Sequence, residues 1–130
     1  MYKKEDKGMK IFLILGAING FLAVALGAFG AHGLEARLNE KQLETWNTAV
    51  QYQMFHTFAL VAVGMLMAKT QSGSLIWAGW MFFAGILIFS GSLYIYSTTA
   101  IKTFAMITPI GGLAFLIGWV LLGVFVLRYI

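Results

Sequence analysis

Cysteine is absent, proline occurs once and charged residues make up only 11% of the chain. Without cysteine there is no disulfide framework, no thiolate metal site and no cysteine nucleophile. So few charges place the sequence outside the range of soluble domains, in which about a quarter of residues carry one. Asp, Glu, Lys and Arg are missing altogether from residues 11–31, 49–68, 75–96 and 103–127. A sequence pI near 9.5 therefore says little about nucleic acid, and no nucleic-acid partner is expected.

What is there instead is hydrocarbon. Hydrophobic residues reach 60% and the mean hydropathy is +0.82. A bilayer core of about 30 Å needs about 20 helical residues at about 1.5 Å each. The four charge-free stretches all meet that length. The fold class is thus an all-α integral membrane protein, with four transmembrane helices in an antiparallel bundle. Residues 1–10 form a basic arm without regular structure, drawn to anionic lipid by its lysines. Residues 32–48 make an outer loop and helix, and 128–130 a short tail. Lys-rich residues ahead of an apolar run, with the small residues Ala28 and Gly30 near its end, have the outline of a signal peptide and its cleavage site. The run is longer than an h-region of about 7–15 residues, so it reads as a retained span.

Basic residues orient the spans. Lys3, Lys4, Lys7, Lys10, Lys69 and Arg128 fall on one face, and Arg37, Lys41 and Lys102 on the other. The richer face is retained in the cytoplasm, so both termini are expected there. Asn39 and Gln42 are spaced for a capping box, starting a helix that runs on into the second span. Trp46, Tyr94 and Tyr96 are expected at the outer interface, and Trp77 and Trp80 at the inner one. Links at 69–74 and 97–102 are short, which forces neighbouring spans to run antiparallel.

Small residues recur every three or four positions in the first span, at Gly16, Gly20, Ala23, Gly27 and Ala31. Such a stripe lets helix backbones approach closely in lipid. Gly111 and Gly112 serve the same purpose in the fourth span. Polar side chains gather in the second span at Gln53, His56 and Thr57, on a face shared with Leu60, Gly64 and Met67. Unpaired polar groups in hydrocarbon cost several kcal/mol, so this face points into the bundle. By helical rise, Ser90, Ser92, Thr108 and Pro109 come to a depth similar to that of His56. Pro109 also frees the carbonyl of Ala105. Asn19 lies nearer the middle, as a separate interhelical hydrogen-bonding residue. His32 could join the cluster or merely end its helix.

Two readings of the cluster stand side by side. One is a satisfied polar network that sets helix register; the other is an outward-facing cavity in which His56 changes protonation. A metal site from His32 and His56 lacks carboxylate or thiolate support, so neither metal nor cofactor is expected.

Four segments carry a resemblance: Gly27-Ala-Phe-Gly-Ala-His-Gly-Leu34, Trp46-Asn-Thr-Ala-Val-Gln-Tyr-Gln-Met-Phe-His-Thr57, Phe89-Ser-Gly-Ser-Leu-Tyr94 and Thr108-Pro-Ile-Gly-Gly-Leu-Ala-Phe-Leu-Ile-Gly-Trp119. Together they resemble the YgdD/YwdK-like family of small bacterial membrane proteins of unknown function, which has a distant eukaryotic transmembrane relative. The resemblance implies a four-span plasma-membrane protein and brings no substrate, cofactor or catalytic residue with it. The expected function is non-enzymatic, acting by helix packing with itself or another membrane component. The alternative is a small oligomeric transporter with a polar cavity around His56, although no intramembrane carboxylate supports it. An intramembrane hydrolase is weaker still, since Ser90 or Ser92 with His56 supplies two parts and only Glu35, Glu40 or Glu44 a third.

Overall fold

The computed structural model describes residues 6–130; Lys3 and Lys4 of the expected basic arm lie outside the described residues. Four helical crossings, each long and apolar enough to span a bilayer, make up nearly all of it. Helix α1 is Asp6–His32 and α2 is Glu40–Leu66. The third crossing is built in three pieces: α3 (Gly73–Gly85), a π-helical turn (Ile86–Ser90) and α4 (Gly91–Thr99). Helix α5, Lys102–Tyr129, completes the chain and runs unbroken through Pro109.

The helices outrun the apolar stretches. Lys7 and Lys10 belong to α1 and not to an unstructured arm, because extending an existing helix adds one hydrogen bond per residue fixed. Helix α2 begins well before residue 49, where a full capping box forms. The Asn39 side chain accepts from the Gln42 backbone N–H at 2.8 Å, and the Gln42 side chain accepts from the Asn39 N–H at 2.9 Å. At the end of α4, Ala100 adopts a left-handed conformation with φ 57°, and its N–H returns to the Tyr96 carbonyl. This turn lets α5 start two residues later.

Packing runs in series: α1 on α2, α2 on the third crossing, and the third crossing on α5. Only 22% of the apolar window of α1 and of α5 is buried, against 44% in α2 and 39% in the third crossing, so the latter two form the centre. One half of the bundle is a dry core of Phe12, Leu60, Val63, Leu75 and Phe82. The other half holds the buried polar residues Asn19, Gln53, His56, Ser90 and Ser92. Helices α2 and α5 make no extended backbone packing, and side chains alone bridge them.

Candidate functional site

The small-residue stripe of α1 lies against α2. A Cβ on Gly16 would come within 2.6 Å of Val61, and one on Gly27 within 3.3 Å of Val50; Gly20 faces Thr57. Ala31 lies exposed beyond the seam. Gly30 closes the upper end, since Trp46 occupies the space its side chain would need. Trp46 is buried between helices. Its indole donates to the Leu26 carbonyl at 2.9 Å and meets Tyr94 edge-on with centroids 4.7 Å apart.

The polar face of α2 divides between two neighbours. On one side, Gln53 bonds across both adjacent helices: its amide donates to Asn19 Oδ1 at 3.0 Å and its carbonyl accepts from the Tyr94 hydroxyl at 2.7 Å. Asn19 donates in turn to the Leu15 carbonyl, and Thr57 to the Gln53 carbonyl. Asn19 is therefore an interhelical hydrogen-bonding residue apart from His56, as expected, within an α1–α2–α4 chain. On the other side, His56 Nδ1 lies 2.8 Å from the Tyr52 carbonyl, and its Nε2 accepts from the Trp119 indole at 3.1 Å. One tautomer, with hydrogen on Nδ1, satisfies both contacts. Its ring stacks on Phe115 with centroids 3.5 Å apart and planes within 7°.

The remaining candidates are spent elsewhere. Ser90 donates to the Ala49 carbonyl at 2.8 Å. Ser92 is bonded to Thr108, which also donates to the Phe104 carbonyl. His32 stands exposed in the last turn of α1. The single cluster expected at one depth is thus three separate connections, because equal depth does not fix which way a side chain faces around its helix.

Beside His56 the bundle is open. A cleft of about 730 Å³ runs between α2 and α5, walled by Tyr52, Phe55, Phe89, Phe115, Leu116 and Trp119. Pro109 and Gly112 lie along its α5 rim. Helix α5 is held against the third crossing, where Gly111 meets the Phe89 backbone and Gly118 meets the Phe82 ring. The π turn carries Phe89 into the cleft wall, a placement common for such turns near working sites.

The family described as Protein of unknown function (DUF423) matches residues 26–112. The chain belongs to this family. UPF0382 membrane protein YwdK of Bacillus subtilis is 53% identical over 94% of the chain and its own full length. A UPF0382 membrane protein of Staphylococcus aureus (strain bovine RF122 / ET3-1) is 52% identical, covering 88% of the chain and 93% of the relative. Another, from Staphylococcus epidermidis (strain ATCC 12228 / FDA PCI 1200), is 48% identical over 93% and 98%. No solved structure matches. This DUF423 member is accordingly a four-helix membrane protein of a family of unknown function, as its sequence implied.

Sequence reasoning missed Tyr94, Trp119 and Phe115 as partners of the polar residues in this DUF423 chain. A signal existed for two of them. Phe115 and Trp119 are four apart on α5, as Tyr52 and His56 are on α2, so each pair lies on one helical face.

Proposed function

We propose that the protein is a non-enzymatic, multi-pass component of the bacterial plasma membrane that works by engaging another membrane component in the cleft between α2 and α5. The observation that carries this reading is the cleft itself. Three of the helix seams close by direct packing, and this one is left 730 Å³ of space with apolar and aromatic walls. Such a volume lies in the range of small-molecule sites, about 300–1,000 Å³. The hydrogen bonds of His56, Ser90 and Ser92 support a binding role over a hydrolytic one, since neither serine is bonded to the imidazole. They also weigh against a proton-coupled carrier, in which the imidazole would need a free nitrogen.

The excess of lysine at the N-terminal side supports a cytoplasmic position for both termini. The natural lack of cysteine makes this easy to check. Single cysteines at the exposed positions Thr99 and Gly73 should differ in labelling by an impermeant maleimide on intact cells, with Thr99 the reactive one.

Native mass spectrometry of protein extracted from its own membrane tests the cleft. A bound small mass should accompany the native chain and be lost from Leu113→Trp, which fills the cleft from its α5 side. Identical spectra for the two proteins would remove the cleft as the working surface. A second copy seated in the cleft would instead appear as a doubled mass sensitive to the same substitution.

A further inference from the structure

Polar groups inside the cleft are not evenly spent. His56 and Trp119 are bonded to each other, and His56 also meets the Tyr52 carbonyl. The Gln51 amide and the Tyr52 hydroxyl, neighbours at one end, make no side-chain hydrogen bond among the described residues, and both line the cleft. Tyr52 is 42% exposed, with its ring held 4.5 Å from that of Phe89. The cleft therefore has one end able to bind a polar group and one end that is apolar and satisfied. No Asp, Glu, Lys or Arg among the described residues lines it.

Its length is set by α5. From Pro109 to Trp119 a helix rises about 15 Å, half of a hydrocarbon core of about 30 Å. Resting on the reading of the cleft as the working surface, we propose that its occupant is a neutral amphiphile of a single leaflet. Its uncharged hydroxyl or carbonyl head meets Gln51 and Tyr52, and its tail lies along Phe115, Leu116 and Trp119. Charge complementarity selects the head: an ionised group would enter an apolar site with no counter-charge. The half-bilayer length selects the tail.

Photo-crosslinking in phosphatidylcholine nanodiscs tests this, with a monoacylglycerol carrying a diazirine in its tail as the probe. A fatty acid with the same tail, kept ionised by working at about pH 9 because the lipid interface raises a carboxyl pKa, serves as the comparison. Adducts of the monoacylglycerol should concentrate on residues 109–119 over the lipid-facing Phe21 and Val24 of α1. Unlabelled monoacylglycerol should compete them away. The double substitution Gln51→Leu with Tyr52→Phe should weaken labelling about fivefold, the scale of one net hydrogen bond. Equal labelling by the fatty acid, with no effect of the double substitution, overturns the neutral-head proposal and leaves the cleft reading in place. Labelling no denser in the cleft than on α1 overturns both. Protein–protein crosslinks from a photoreactive residue at 113 overturn the proposal in favour of a protein occupant.

Discussion

Where α2 meets α1, glycines bring the backbones together and side-chain amides tie them, whereas on the side facing α5 only aromatic rings and one imidazole cross the gap. Both sides bury polar groups of the same few residues of α2, Gln53 on the first and His56 on the second. The difference lies in backbone distance. In lipid no hydrophobic force draws helices together, so a seam closes only where small residues permit dense contact. Gly16, Gly20 and Gly27 supply that against α2. Gly111 and Gly118 of α5 are turned toward the third crossing instead, and α2 is left to face Phe115 and Trp119.

Substitutions at the closed contacts should therefore cost most. Gly111→Leu drives a side chain into the Phe89 backbone, which cannot move aside as a flexible side chain could. A loss of about 3 kcal/mol is expected, read as reduced unfolding resistance in bicelles; a variant as stable as the native protein would show that α5 is not held there. Gln53→Leu comes next. It strands the Tyr94 hydroxyl and the Asn19 carbonyl together, for about 2 kcal/mol, and the same bicelle unfolding assay should place it between Gly111→Leu and the native protein.

Smaller effects belong to the open side. Trp119→Phe keeps a ring but removes the donor to His56 Nε2, an expected loss of about 1 kcal/mol. NMR should report it as a shift of the His56 ring nitrogens with the Tyr94 hydroxyl unmoved; coupled changes at both would mean that the two sides of α2 act as one network. Leu113→Trp should change stability by less than about 0.5 kcal/mol, because it projects into space that nothing in the chain fills. Strong destabilisation by this variant would contradict an open cleft.

Much of the architecture was legible in residue types. Charge-free lengths gave the four crossings, Asn39 with Gln42 gave the start of α2, and the small-residue spacing marked the face of α1 that packs. The site was legible only in part. Gln53, His56 and Thr57 stand out as polar residues in hydrocarbon, but Trp46 and Tyr94 carry the same mark as any interfacial aromatic. The π turn left no sign, since residues 86–90 are ordinary apolar helix formers ending in serine.

Hydropathy and spacing along the chain thus determined that this is a four-crossing membrane protein, and which residues must avoid lipid. Those properties are local, depending on transfer free energy and a 3.6-residue period. Only the tertiary structure decided that Gln53 faces Asn19 and Tyr94 while His56 faces Trp119, and that α2 and α5 stay apart. Those outcomes depend on the rotation of each helix about its own axis, which the π turn and the glycine contacts of Gly111 and Gly118 set through packing between distant segments.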